Sequence, residues 1–476
     1  MPLGGFTSYY WENTQSSELR SEVTPMTNVI YPTTNFKATE QIVVERGEGV
    51  YVYDNHGKQY LEGLAGLWCT SLGYGNQELI DAATAQMGQL SYYHAFGGKT
   101  HPMMMALADK IRDMVPVDNA KIFFGNSGSD ANDTFIKILR YYANATGRPE
   151  KRKIITRERG YHGVTVAAGA LTSLPANLTH FDAPVEALGI LRTDHPHYYK
   201  GRHPGESEEA FVDRIVGNLE KLILAEGADT IAAFLAEPIT GASGVIVPPA
   251  GYYEKVQAVL NKHDIMFWAD EVICGFGRTG NDFGCTTMNI ENPALMTLAK
   301  QLSSAYVPIS ASVVRGDIYE ALVEPVSEVG VFGHGYTYSG HPLGCAVALK
   351  TLEIYERDNI FEKAAKTGAY LQKKLAPFAE HPLVGEVRGR GLIAALELVS
   401  DKATGEGFPP SVAGFLTNAC AEAGLIGRPV AGTAFALCPP LIITEAQIDE
   451  LTDKLATGLD ATLAHVHSEG LLKAAS

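Results

Sequence analysis

The sequence predicts an α/β protein in which a mostly parallel sheet is covered by helices and followed by a smaller α+β unit. Three observations carry this. Between residues 121 and 315, apolar runs of strand length alternate with segments of helical periodicity, the pattern of repeated β-α-β units. Several of those runs are apolar throughout rather than alternating, as strands buried on both faces are. After about residue 340 the alternation gives way to longer helical segments with fewer strands.

Residues 1–45 are polar with few periodic segments and are expected to run over a surface or a partner. From Val50, VYVYDNHGKQYLEG places strand residues around a turn at Asp54–Gly57 and reads as a hairpin. LAGLWCTSLGYG (64–75) is glycine-rich and aromatic, which suits a loop lining a site. Met103, Leu107, Ile111 and Met114 then recur at helical spacing. The strand candidates are 121–124, 153–156, 190–193, 230–237, 265–270, 295–300 and 309–315. Between them, helix 209–226 turns Val212, Ile215, Leu219 and Leu222 to one face and stops at Gly227, and helix 252–263 turns Val256, Val259 and Leu260 inward. Beyond residue 340, 345–355 and 363–378 read as helices and 392–399 as a strand. A helix over 411–423 stops at Gly424, and the next strand carries Arg428. Thr444 and Gln447 form a capping box for a last helix with Ile448, Leu451, Leu455 and Leu459 on its face. The expected division is an N-terminal segment 1–75 joining the small domain, a large domain 76–340 and a C-terminal small domain 341–476.

Composition narrows the function classes. Lys plus Arg number 38 and Asp plus Glu 54, a formal charge of −16, which disfavours nucleic-acid or anionic-membrane partners. With 46% hydrophobic and 19% charged residues and a mean hydropathy of −0.02, the chain reads as a water-soluble globular protein. No apolar run is long enough to span a bilayer, and the first residues lack the basic-then-apolar order of a secretory signal. Cys69, Cys274, Cys285, Cys345, Cys420 and Cys438 are scattered with no Cys-x-x-Cys pair. That argues against a disulfide framework or structural zinc and fits a reducing cytoplasm. The histidines show no His-Glu-x-x-His helix, so no metal is expected.

Chemistry concentrates in residues 265–308. Two apolar runs there, 265–269 and 295–299, end in charges: Asp270 and Glu271 after the first, Lys300 after the second. Ligands of open α/β sheets bind outside the carboxyl ends of strands, so an acid and a lysine can face one crevice. A lysine held against apolar walls can lose its proton and act as a nucleophile or base. Taken alone, Lys300 reads first as a strand end reaching water, and the rest of the chain has to argue otherwise.

FFGNSGSDANDTFIKILRYY (123–142) supplies a second feature. Gly125 and Gly128 allow a tight turn, and Ser129 is expected to cap a helix with Asp130 and Asp133 in its first turn. Such a loop offers free N–H groups to a phosphate, although an ordinary N-cap explains the same residues. RGYHGVT (159–165) sets Tyr161 between glycines, leaving its ring free to stack on a flat ligand. FLAEPITGASG (234–244) and ADEVICGFGRTG (269–280) put carboxylates at the ends of buried strands, where acids are paired or used. A phosphate loop, an aromatic stacker, a strand-end acid and a strand-end lysine together describe the needs of pyridoxal 5'-phosphate (PLP).

With those motifs in hand, the sequence resembles the class III pyridoxal-phosphate aminotransferases, in particular the amine (omega-amino acid):pyruvate transaminases. GLWCTSLGYG, NSGSDAND, GYHGVT, AEPITGASG, ADEVICGFGRTG, LAKQLSSAY, HGYTYSGHP and LIGRP…ALCPPLIIT follow the family's order from residue 66 to 444. The resemblance implies the type I PLP-dependent aminotransferase fold and a homodimer, possibly a tetramer, with shared active sites. It implies that Lys300 is the Schiff-base lysine and proton shuttle, and that Asp270 pairs with the pyridine nitrogen. Tyr161 stacks on the ring, Gly128 and Ser129 hold the phosphate, and Thr337 reaches the neighbouring subunit's phosphate. Val272 packs behind the ring and Glu237 supports the site. Trp68 and Phe96 resemble pocket-wall aromatics, and Arg428 the mobile arginine that grips a substrate carboxylate.

The implied reaction moves an amino group from a primary amine or omega-amino acid to pyruvate, giving alanine. Two departures point to pyruvate. Many 2-oxoglutarate-dependent relatives carry glutamine-glycine-glutamate where this chain has Thr240-Gly241-Ala242, and commonly glutamine where it has Ile273. Asp130 stands for a more usual glutamate and Gln301 for a frequent glycine, the latter leaving the turn after Lys300 open. A 2-oxoglutarate-dependent aminotransferase, a racemase or aminomutase, and a non-catalytic PLP-binding protein are the alternatives.

Overall fold

The computed structural model describes residues 28–35 and 41–472. Most of the N-terminal segment expected to wander over a surface or partner lies outside the described residues. The predicted hairpin forms from β2 (Tyr51–Asp54) and β3 (Gln59–Glu62), with β1 (Val44–Glu48) antiparallel to β2. The Asp54 carboxylate closes the turn by accepting the amides of His56 and Lys58, each at 2.9 Å.

The large sheet has seven strands: β4 (Lys121–Gly125), β5 (Lys153–Arg157), β6 (Ile190–Thr193), β7 (Ile231–Ala236), β8 (Met266–Asp270), β9 (Leu295–Leu298) and β10 (Ser310–Val314). Their spatial order is β4-β10-β9-β8-β7-β5-β6. Neighbours from β9 through β6 run parallel, and β10 alone inverts, pairing antiparallel with both β9 and β4. Successive residues feed opposite faces. Ile154, Leu235, Trp268 and Leu295 meet Phe135 and Leu139 of the Gly128–Ala145 helix on one side. Ile155, Phe234, Phe267 and Met296 join the main core on the other, with Phe211, Ile215 and Val256.

In the C-terminal part, β11 (Val384–Arg390), β12 (Ile393–Asp401), β13 (Glu406–Gly407), β15 (Arg428–Val430) and β16 (Ala434–Leu437) make an antiparallel sheet. β14 (Leu425–Ile426) instead pairs in parallel with β3, so the N-terminal hairpin docks beside the C-terminal sheet. The last helix, Glu445–Ser468, starts at the predicted capping box: Thr444 Oγ1 accepts the Gln447 amide at 3.3 Å, and Gln447 Oε1 accepts the Thr444 amide at 3.0 Å. A third apolar cluster joins the two units at their crevice, with Leu64, Trp68, Ile239 and Ile273 meeting Ile393, Val430, Ala434 and Cys438. No helix among the described residues is long and apolar enough to cross a membrane.

Two local readings need correction. Ser127, not Ser129, caps the Gly128–Ala145 helix: its Oγ accepts the Asp130 amide at 3.2 Å and Asp130 Oδ1 accepts the Ser127 amide at 3.0 Å. The reciprocal pair needs an acid three residues beyond the cap, and Asp130 selects Ser127 over Ser129. The strand expected to end at Lys300 stops at Leu298, and a 3-10 turn, Lys300–Ser303, begins at the lysine itself.

Candidate active site

The carboxyl ends of β7, β8 and β9 converge on Glu237, Asp270 and Lys300. Asp270 closes β8 and is buried. Its Oδ2 accepts from His162 Nδ1 at 2.8 Å and from Asn132 Nδ2 at 3.3 Å, while Oδ1 takes the Val272 amide at 3.2 Å. The support continues inward. Asn132 Nδ2 also donates to the His162 carbonyl at 2.7 Å, Asn132 Oδ1 accepts from Thr297 Oγ1 at 2.7 Å, and Thr297 Oγ1 accepts from Trp268 Nε1 at 2.9 Å. A buried polar network with all members satisfied fixes one geometry. Asp270 is therefore presented to the crevice as a held carboxylate.

Glu237 follows β7. Its two oxygens accept the amides of Tyr161 at 3.1 Å and Gly241 at 2.8 Å. Burial pushes its carboxyl above the usual range, against the pull of His162. Arg157, fully buried, steadies the strand end by donating to the Glu237 carbonyl at 2.6 Å and to Thr240 Oγ1 at 3.0 Å. The neighbouring acid Glu271 has a different task. It accepts the amides of Gly284 at 2.9 Å and Cys285 at 2.5 Å, and burial pushes its carboxyl up to about 7.

Lys300 takes a left-handed backbone, φ 49°, which costs a non-glycine residue about 1–2 kcal/mol. The turn is pinned from both sides: Gln301 Nε2 donates to the Ile273 carbonyl at 2.7 Å, and Tyr355 Oη donates to the Gln301 carbonyl at 2.7 Å. The glutamine in place of glycine is thus built into the turn. Burial pushes the Lys300 ammonium down from its ordinary value, with Cys69, Asp270 and Glu237 opposing. Among the described residues no carboxylate forms an ion pair with it, the nearby Asp270 being bonded to His162, so its amine is available to a ligand.

At the other end, Gly128 and Ser129 are the first two residues of their helix, where amides have no carbonyl four residues back. Val272 packs on Gly128. Ser129 Oγ accepts the Val164 amide at 3.1 Å, which ties this cradle to the Tyr161 loop. Gly163 makes the approach feasible: its φ is 126°, and an added Cβ would lie 2.6 Å from Ser129 Oγ. These parts fit a phosphorylated pyridine aldehyde: free helix amides for an anion, a half-buried Tyr161 ring, a fixed acid and an unpaired lysine.

The remaining predicted residues fall in two places: Trp68 and Arg428 beside the site, Phe96 and Thr337 in a separate exposed segment. Trp68, buried and at φ 64°, belongs to the crevice cluster with Ile273 and Val430. Arg428 opens β15. Burial pushes its guanidinium down while the nearby Tyr161 opposes, and among the described residues it has no carboxylate partner. Phe96 is 46% exposed and packs on Gly335, in the segment that carries the exposed Thr337. Tyr92 Oη donates to the Thr337 carbonyl at 2.8 Å, and Tyr336 Oη donates to the Asp130 carbonyl at 2.9 Å. Phe96 and Thr337 thus share one exposed module, anchored to the helix that starts at Gly128. Sequence reasoning missed His162, Asn132, Thr297 and Trp268. A signal existed: a buried Asp270 needs donors, and Asn132 lies one turn beyond Ser129.

Comparison with known proteins fits this geometry. The family model described as aminotransferase class-III matches residues 34–459. A tomato (Solanum lycopersicum) protein named gamma aminobutyrate transaminase 3, chloroplastic, is 46% identical over 426 residues, 89% of this chain and 81% of its own. The diaminobutyrate–2-oxoglutarate transaminase of Halomonas elongata is 43% identical, covering 91% of this chain and 93% of its own. Among solved structures, the omega transaminase from Pseudomonas jessenii in complex with PMP superposes with a TM-score of 0.90 at 46% identity, covering 92% of this chain and 97% of that one.

Proposed function

The chain belongs to the class-III aminotransferases, PLP-dependent enzymes of the type I fold, and we propose that it moves an amino group from a primary amine or omega-amino acid to pyruvate. The observation that carries the acceptor is the wall around Glu237. An added Cβ on Gly241 would lie 2.5 Å from Ile273 Cδ1 and 3.6 Å from Glu237 Oε2, so Ile273 packs on Gly241 with an apolar side chain beside that acid. A second substrate carboxylate gains nothing there, because an unpaired anion against Ile273 and a buried Glu237 is costly. A keto acid with one carboxylate, held by Arg428, suits the pocket.

When bound, PLP supplies an electron sink for the carbon that carries the amino group. We assign Lys300 the covalent attachment and the proton work: its Nζ, lacking an acid partner, would take the proton from that carbon and pass it to the cofactor's aldehyde-derived carbon, not back to the donor. Asp270, held by His162 and Asn132, would keep the ring nitrogen protonated. Tyr161 and Val272 would hold the ring and Gly128 and Ser129 the phosphate, while Glu237 fixes the Tyr161 backbone. Trp68 walls the substrate side. Residues 76–340 form the cofactor domain in this reading. The exposed module of Phe96 and Thr337 belongs to a homodimer, each copy completing the other's site. Six free cysteines suit a reducing compartment such as the cytoplasm.

A donor panel run with pyruvate and with 2-oxoglutarate tests the acceptor. Alanine from pyruvate should form at least about tenfold faster than glutamate from 2-oxoglutarate, the discrimination expected when one charged group lacks a partner. Equal rates, or preference for 2-oxoglutarate, would transfer the assignment to the second reading, which the name of the Halomonas relative favours.

A further inference from the structure

The turn that follows Arg428 is tied to the large domain by buried charges that the proposed reaction does not use. Arg428 faces Ala436 and Val430 faces Ala434 in the β15–β16 pair, leaving 431–433 as the turn, with Ala431 at φ 51° and Gly432 at φ 78°. Thr433 Oγ1 donates to Glu397 Oε1 at 2.5 Å, and the Thr433 carbonyl accepts the Leu398 amide at 2.8 Å. Glu397 Oε2 meets Arg388 Nη2 at 2.9 Å. Arg388 then crosses to the large domain, donating from Nε to the Gly244 carbonyl at 2.7 Å, while its Nη1 meets Glu386 Oε2 at 2.7 Å. Glu386 also meets His197 Nε2 at 2.8 Å. Gly244 belongs to the loop whose Gly241 amide holds Glu237.

Both central groups are nearly removed from water: Glu397 is 2% exposed and Arg388 8%. Burial pushes the Glu397 carboxyl up, but Arg388, the Thr433 hydroxyl and Lys200 outweigh it and hold it below the usual range. A buried ion pair is weak evidence of stability, since apolar packing often does as well, and its better-attested use is to specify one arrangement. The arrangement specified here is the distance between the Arg428 hairpin and the 240–244 wall of the same pocket. Nothing in the chain of contacts touches Lys300 or Asp270.

We propose that Glu397 and Thr433 are positioning residues for carboxylate recognition: their hydrogen bond, anchored through Arg388 to Gly244, sets where the hairpin presents Arg428. This rests on the reading of Arg428 as the partner of the substrate carboxylate. Loosening the turn then weakens substrates that need Arg428 and spares those that do not.

The test uses holoenzyme carrying T433V, which removes the hydroxyl at nearly constant shape, T433S, which keeps it, and R428Q. Propanoate binding is measured by calorimetry, and KM and kcat by following the cofactor absorbance with an omega-amino acid and with a simple monoamine. T433V should raise the propanoate Kd and the omega-amino acid KM about three- to tenfold, the net scale of one ordinary hydrogen bond felt at Arg428 through the turn. Both kcat values and the monoamine KM should stay within about twofold, and T433S should return every value to within about twofold of wild type. If R428Q loses propanoate while T433V binds it like wild type, the positioning role is wrong and the reading of Arg428 stands. If R428Q binds propanoate like wild type, both fall. Equal losses for monoamine and omega-amino acid in T433V, or no recovery in T433S, mean a general structural role and overturn the proposal.

Discussion

The floor and the rim of the crevice are built on opposite principles. On the floor, Asp270 sits in a closed network through His162, Asn132, Thr297 and Trp268, and both oxygens of Glu237 are taken. On the rim, Trp68 ends a short irregular turn and Arg428 opens a three-residue strand with no acid partner among the described residues. The floor is over-determined and can hold one geometry for one cofactor. The rim keeps cationic and aromatic groups in loops and short strands, where small shifts change what fits. The contrast separates chemistry from selectivity, so a floor change should hit every substrate alike and a rim change should sort substrates.

The largest expected effect is at Lys300. Lys300→Ala should lower turnover at least about a thousandfold for all donors, as loss of a covalent catalyst does, and abolish the visible absorption of the bound cofactor. Circular dichroism should show the fold intact, because a buried, unpaired ammonium is removed. A yellow, active variant would break the floor assignment. Next is Asp270→Asn, expected to cost about a hundredfold on every donor, with His162→Gln about tenfold through loss of one hydrogen bond to the acid. Donor-dependent losses for either would mean that the floor also selects. Arg428→Gln probes the rim. We expect carboxylate substrates to weaken about ten- to hundredfold and monoamines less than about threefold, measured as kcat/KM ratios. Uniform losses would erase the distinction between floor and rim.

Legibility in the sequence follows the same division. β7, β8 and β9 are short and apolar throughout, so their existence and the charges at their ends could be read directly from 230–237, 265–270 and 295–300. The sequence puts Lys300 at a strand end because apolar runs carry no mark of where a ladder stops. The turn is set by distant partners, Ile273 and Tyr355, which no local pattern shows. The helix at Gly128 was legible, but its cap was assigned to the wrong serine because the spacing from Asp130 decides between Ser127 and Ser129. Asn132 and His162 are invisible as a pair, since they lie thirty residues apart and the fold alone brings them together at Asp270. The rim was read by resemblance alone. Arg428 beside a proline looks like any surface arginine until β15 and β16 half-bury it near Tyr161.

Two buried glutamates offer the smallest expected change in turnover and the finest comparison. Glu271 supports the floor by accepting the Gly284 and Cys285 amides; Glu62 supports the rim by accepting the Leu64 amide at 2.9 Å, just ahead of Trp68. Burial pushes both carboxyls up to about 7 from 4.5. A raised carboxyl binds its proton more tightly in the folded state, so each contributes stability that is complete below about pH 4.5 and is lost as pH rises toward 7. The loss is on the order of 3 kcal/mol per group. Glutamine does not titrate, so the stability of E271Q relative to wild type, from urea unfolding, should rise by that order between pH 4.5 and 8. E62Q should show the same slope, because the physical cause is the same. Activity should separate them. E271Q should leave the KM ratio of omega-amino acid to monoamine within about twofold of wild type, whereas E62Q, by loosening the turn before Trp68, should shift it by more than that. Identical ratios in the two variants would show that the rim loop is held as rigidly as the floor, and a flat pH difference in both would show that neither acid is protonated in the folded chain at pH 5.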